Sequence, residues 1–215
     1  LHLLARDEGD AWRSVIDGAE MKAYLSKSLG DIELRGGALG FIGDTRLVPM
    51  LGDVVAIACG TATPMAQRID ALATVQKVAA RAKRNDTAQY LKQMSALIES
   101  ADPGTRAAAV HAIGAFRGDE PTNVLKETLV NASAPVDVRR EALHALGAAR
   151  SGANVLIALA EKQEIPRDLL LDATEMLNSN SSEQIRLMAQ KVLPRPTTRE
   201  GHALPPLADL LAMPG

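Results

Sequence analysis

The chain has 215 residues, 47% of them hydrophobic and 23% charged, a balance that supports a folded core and excludes a disordered chain. Its formal net charge of −2 excludes a strong overall attraction for a phosphate backbone or an anionic membrane, although a local basic patch stays open. Aromatic residues make up only 2% and Cys59 is the only cysteine, so the apolar weight rests on Ala, Leu, Val and Ile, and neither an internal disulfide nor a thiolate zinc site can form.

The chain opens on Leu-His-Leu-Leu-Ala-Arg, without an initiator Met and already in an apolar helical pattern, which predicts a piece of a longer protein. Asp10 to Leu29 reads as one helix. Residues 31–60 read as two helices separated by Gly43-Asp44, with Leu34, Leu39 and Ile42 on one stripe and Val48, Leu51, Val54 and Val55 on the other. Pro49 falls near the first turn of the second helix, where a missing amide hydrogen costs least. Residues 64–100 predict a longer hairpin that breaks at Asn85-Asp86, with Asp86 as an N-cap.

Two regular units follow Asp102-Pro103-Gly104. The first spans 105–131 and turns at Gly118-Asp119-Glu120-Pro121; the second spans 136–163 and turns at Ser151-Gly152. A further unit runs from Pro166 to Leu193, broken at residues 178–182. No run of about 18 apolar residues predicts a membrane span. Beyond Leu193, four prolines bracket a polar stretch and a short apolar turn, Leu207 to Met213, which reads as a linker leaving the array.

A fixed period organises these units. Ala-Val-His-Ala-Ile-Gly at 109–114 recurs as Ala-Leu-His-Ala-Leu-Gly at 142–147, so 33 residues separate His111 from His144 and Gly114 from Gly147. Arg35, Leu39, Ile42 and Gly43 match Arg106, Val110, Ile113 and Gly114 at an offset of 71, about two periods. A single hairpin cannot bury its own apolar face, so neighbours must stack. The expected fold is all-α, an α-solenoid of about six antiparallel helical hairpins over residues 1–193, with a Pro-rich linker at 194–215.

The pattern Val-Arg-x-x-Ala-Leu-x-Ala-Leu-Gly at 138–147, with its relatives at 106–114 and 35–43, resembles HEAT repeats. The Gly43-Asp44-Thr45-Arg46-Leu47-Val48-Pro49-Met50-Leu51 stretch resembles the subclass found in phycobilisome-lyase-like proteins. HEAT arrays imply a binding surface or a spacer. Repeats followed by an ending such as LPPLADLLAMPG are also similar to the middle region of large planctomycete-type haem-binding proteins. Those carry a dehydrogenase-like propeller before the repeats and a Cys-x-x-Cys-His cytochrome domain after them. That likeness implies an exported spacer or docking module between a redox domain and its electron carrier.

Candidate site residues are few. His111 and His144 share a repeat position, and HEAT-like deoxyhypusine hydroxylase uses His-Glu pairs on such helices. Here Ala112 and Ala145 follow the histidines, and two imidazoles alone make a poor metal site, so an exposed helix position is expected. Gly114 and Gly147 predict a close approach of the second helix of each hairpin. Arg35, Arg106, Arg139 and Arg140 predict a ladder with acids of neighbouring units, for which Asp44, Asp119 and Asp137 are available. Gly36-Gly37 opens a superficial dinucleotide-loop pattern, but it follows no strand and falls inside a helix. Cys59 has no histidine beside it and reads as a buried thiol.

Lys77, Arg81, Lys83 and Arg84 form the densest basic cluster; Lys77, Arg81 and Arg84 are spaced to share one helical face and stand as the candidate anion- or partner-binding residues. HEAT-like DNA glycosylases bind duplex through a basic groove, so a nucleic-acid-binding array using residues 77–84 is the alternative reading. The expected function is a noncatalytic scaffold without a cofactor. It binds another protein, or a neighbouring domain of its own chain, through the face built by successive second helices.

Overall fold

The computed structural model describes residues 14–100 and 102–193, in which every regular element is helical. After a short helical turn at 14–16 come α1 (Ala19–Gly30), α2 (Arg35–Thr45), α3 (Leu51–Cys59), α4 (Met65–Ala79), α5 (Arg84–Ala96) and α6 (Pro103–Gly114). They are followed by α7 (Asp119–Val130), α8 (Val136–Ala148), α9 (Arg150–Glu161), α10 (Leu170–Asn178) and α11 (Glu183–Val192). Single 3-10 turns, Val48–Met50, Leu97–Glu99 and Arg167–Leu169, lie at hairpin joints.

The helices pair as α2/α3, α4/α5, α6/α7, α8/α9 and α10/α11 and stack into two layers. The first helices α2, α4, α6, α8 and α10 pack side by side in one layer; α1, α3, α5, α7, α9 and α11 form the other. The fold is the all-α solenoid that the period demands. Five hairpins are complete and α1 takes the place of a second helix. The rest of the expected sixth hairpin falls on residues 1–13, and the expected linker on 194–215, both outside the described residues.

One continuous core runs between the layers. Ile42, Leu72, Val75, Val110, Ile113 and Leu143 fill it from the first helices at 0% exposure, and Val54, Leu129 and Leu156 meet them from the second. Each such side chain contributes about 1.5–3 kcal/mol by leaving water. Leu34 departs from its expected stripe: it precedes α2 and is 52% exposed.

The turns differ from expectation in instructive ways. The first predicted helix is broken at Asp17-Gly18, where Gly18 is extended and its N–H returns to the Val15 carbonyl at 3.1 Å. Gly43 does not end α2. The helix continues to Thr45 and stops at Arg46, which takes a left-handed conformation (φ 52°), while the Leu47 N–H reaches back to the Ile42 carbonyl at 3.1 Å. The second hairpin turns at residues 80–83, not at Asn85-Asp86. The Asp86 carboxylate accepts the Lys83 N–H at 3.0 Å from inside the first turn of α5, which starts that helix earlier.

The turn expected at Gly118–Pro121 lies at 115–118 instead. Gly118 (φ 122°) reverses the chain and Pro121 sits in the first turn of α7, where no intrahelical N–H is required. The turn expected at Ser151-Gly152 shrinks to Ala149 alone, with both residues inside α9. A Cβ on Gly152 would collide with the backbone of Leu146, so this glycine permits the tight reversal. The expected break at 178–182 is observed between α10 and α11.

Candidate functional site

The first-helix layer is held in register by its small residues. A Cβ on Gly43 would meet Lys77 and Thr74 of α4, one on Gly114 would meet Ala145 of α8, and one on Gly147 would meet Met176 of α10. The repeated glycine therefore admits the next first helix and not, as expected, the second helix of its own hairpin. The reason is geometric: each hairpin buries its large residues between layers, and small ones are left to set the spacing within a layer.

The repeated arginine at the start of the first helices turns back onto the preceding joint. Arg35 Nε donates to the Leu29 carbonyl at 2.7 Å, Arg106 Nη1 to the Ser100 carbonyl at 3.0 Å, and Arg139 Nε to the Ala134 carbonyl at 3.1 Å. Arg186 in α11 does the same to Asn180 at 2.6 Å. These groups satisfy carbonyls that a helix end or turn leaves open.

Side-chain pairs also link successive first helices, but not always through the expected acids. Lys77 Nζ pairs with Asp44 at 2.9 Å, Arg139 forks onto Asp168 at 3.0 and 2.6 Å, and Arg140 Nε donates to Asp172 at 2.7 Å. Asp119 and Asp137, in the first turns of their own helices, carry no such pair among the described residues. The Arg139 guanidinium, hydrogen-bonded to Asp168, holds that carboxyl below its usual range; hydrogen bonding from Thr105 does the same for the N-cap Asp102.

His111 is exposed, and its Nε2 lies 2.6 Å from Glu141 Oε2 of the next first helix. A carboxylate therefore does stand beside this histidine, contributed by the neighbouring repeat and not by the adjacent residue. His144 is exposed one helix further on and does not join the pair. Among the described residues no group of three or more His, Cys, Asp or Glu side chains is arranged to hold a metal ion.

The basic cluster does not share one face. Lys77 lies in α4 and is paired, Arg81 lies in the turn after it, and Arg84 opens α5, its side chain running along Gly118. The helix that would have aligned them ends at Ala79. Gly36 and Gly37 lie within α2, as expected. Cys59 is half-buried at the end of α3; burial pushes its thiol up, opposed in part by the nearby Arg68 cation. No single helix among the described residues is long and apolar enough to cross a membrane.

These two layers, one cemented by small residues and short ion pairs and one exposing polar helix faces, define an α-helical repeat array. A comparison with protein families matches the description "HEAT repeats" at residues 64–147 and 91–177, which together span more than half of the chain. The chain belongs to the HEAT-repeat family. Among solved structures it is similar to the crystal structure of an engineered protein from the Northeast Structural Genomics Consortium. The likeness, at 16% identity, covers 89% of this chain and 85% of that one with a TM-score of 0.51, and concerns the fold. A comparison with curated proteins finds no match.

Proposed function

We propose that this chain is a noncatalytic scaffold that binds a protein, or a neighbouring domain of its parent chain, through its second-helix layer. HEAT repeats are in general scaffolds for protein interaction. The observation that carries the finer reading is the contrast between the layers. Among the described residues the ion pairs all join first helices or their leading turns, through Lys77–Asp44, His111–Glu141, Arg139–Asp168 and Arg140–Asp172, although Asp70 and Asp137 stay unpaired there and Ser26–Asp53 and Arg150–Gln184 link second helices. The outward faces of α5, α7 and α9 carry Gln89, Lys92, Glu120, Asn123, Asn154 and Glu161, all exposed and without a hydrogen bond or ion pair among the described residues. A surface of unspent polar groups on rigid, repeating supports suits recognition of a partner.

The array spans residues 1–193 in this reading, and 194–215 serve as the linker to whatever follows. The narrower placement, as an exported spacer beside a redox domain, rests on the ending at 204–215. The parent reading frame tests it, because a Cys-x-x-Cys-His shortly after Gly215 supports the placement and a stop codon there removes it. The binding role is tested by a photoreactive residue at position 123 on the second-helix layer or at position 73 on the first, in the parent protein in its own cells. A discrete protein or interdomain adduct from position 123 supports the reading. Adducts only from position 73, or from neither, overturn it.

A further inference from the structure

Arg106 departs from the pattern of its repeat siblings. Arg35 donates through Nε to the preceding joint and through Nη1 to Gln67 Oε1 of the next first helix at 2.5 Å. Arg139 likewise spends Nε on the joint and both outer nitrogens on Asp168, in the leading turn of α10. Arg106 makes a single bond, from Nη1 to the Ser100 carbonyl at 3.0 Å. Its Nε is buried without an acceptor, and Nη2, which is not buried, has none among the described residues. The guanidinium is left short of acceptors, a state that is costly for a charged donor.

The sequence shows why. Gln67 stands three residues after Pro64, at the start of α4, and the residue three after Pro135, at the start of α8, is Val138. The same 32 residues separate Arg35 from Gln67 and Arg106 from Val138. Where one repeat offers its neighbour's arginine an amide oxygen, the other offers a buried isopropyl group. Arg106 and Val138 instead line a cavity of about 450 Å³, which lies between the joint before α6 and the joint before α8. That volume falls within the range of small-molecule sites.

The other charged side chains of the cavity are Glu99 and Glu127, both exposed and without a hydrogen bond or ion pair among the described residues. One guanidinium and two carboxylates disfavour a phosphate or a dicarboxylate, whose charge the acidic pair would repel. A zwitterion meets both signs: its carboxylate accepts from the guanidinium and its ammonium group donates to the carboxylates. Ile98, Val124, Pro135 and Val138 supply an apolar wall. The Ser95 and Thr128 hydroxyls also line the cavity, but each already donates to a carbonyl of its own helix, Leu91 and Val124, at 2.8 Å.

We propose that this cavity is a binding site for a free apolar α-amino acid. Its carboxylate accepts from Arg106, its ammonium group donates to Glu99 and Glu127, and its side chain lies against Ile98, Val124 and Val138. The ligand supplies the acceptor that Gln67 and Asp168 supply to Arg35 and Arg139, and it bridges two successive hairpin joints.

The test is isothermal titration calorimetry on the full chain with L-leucine, L-methionine and L-phenylalanine, each beside its N-acetyl derivative, which lacks the ammonium group, and its amide, which lacks the carboxylate. At least one of the amino acids binds at a single site, and both of its derivatives bind about tenfold or more weakly, by loss of a charged hydrogen bond. The double variant E99Q/E127Q, at exposed positions, weakens the amino acid about tenfold and leaves its N-acetyl derivative unchanged. Val138→Gln gives Arg106 the acceptor that Arg35 has and removes binding. Three outcomes overturn the proposal: none of the amino acids binds, a derivative binds as tightly as its parent, or E99Q/E127Q leaves the affinity unmoved. The double variant keeps the test open should Val138→Gln fail to fold, and a failure here leaves the scaffold reading untouched, because photo-crosslinking at position 123 reads a different surface.

Discussion

Gly114 and Ala145 meet across two successive first helices so closely that a Cβ on Gly114 would lie 2.9 Å from the Ala145 Cβ and 3.6 Å from its Cα. The neighbour here is helix backbone with a single methyl group, which has no rotamer through which to withdraw. Gly40, in contrast, would meet nothing within 4 Å, although it too lies inside a helix. Gly40→Ala is therefore expected to stabilise the chain by about 1 kcal/mol through helix propensity alone. Gly114→Ala, where overpacking of about 1–3 kcal/mol exceeds that same gain, is expected to destabilise it. Urea midpoints of the two variants measure the sign; a stabilised Gly114→Ala would show that the glycine does not set the helix spacing.

The pair of Arg139 and Asp168 makes the array acid-sensitive at a known joint. The folded Asp168 carboxyl titrates below its ordinary value of 3.8, because the Arg139 guanidinium hydrogen-bonds to it. A carboxyl lowered on folding adds stability that is fully present above 3.8 and is lost as pH falls below it. Chemical denaturation at pH 6 and pH 3 should show a smaller acid loss in Asp168→Asn than in the parent chain. Equal losses would mean that the fork in the structure carries no weight in solution.

Much of the architecture is legible in the sequence, because a period of 33 residues and an apolar stripe are local quantities. The turns are less so. Gly43 and Asn85 look like breaks by type, but Gly43 is a packing residue facing Thr74 and Lys77, and the second hairpin turns before Asn85 because Asp86 caps backwards onto Lys83. The partner of His111, Glu141, lies thirty positions along the chain and becomes visible only once the helices are laid side by side.

Among the described residues two non-glycine positions hold left-handed backbone, Arg46 at φ 52° and Gln163 at φ 57°, each just after a helix. Side chains with a Cβ adopt this region at a cost, whereas glycine enters it freely. Arg46→Gly and Gln163→Gly are each expected to raise stability by about 0.5–1 kcal/mol, reversing the usual penalty of glycine. Thermal midpoints of the single variants and of the double variant decide it. The positions are far apart in the stack, so the two gains should add.

Cys59 should behave as a slow thiol. Burial raises its pKa, and the thiolate that reacts is correspondingly scarce near neutral pH. Alkylation by iodoacetamide at pH 7.5 is expected to be slower than in the urea-unfolded chain and to accelerate with rising pH. Arg68→Ala, which removes the one nearby cation that opposes the shift, should slow it further; a faster reaction would contradict the stated balance of causes.

The claim that the second-helix layer is the binding surface is tested most directly by amide hydrogen exchange on the full chain, free and saturated with the partner recovered at position 123. Added protection is expected in α5, α7 and α9, with α4, α6 and α8 unchanged. Protection confined to the first helices, or none in either layer, would contradict it.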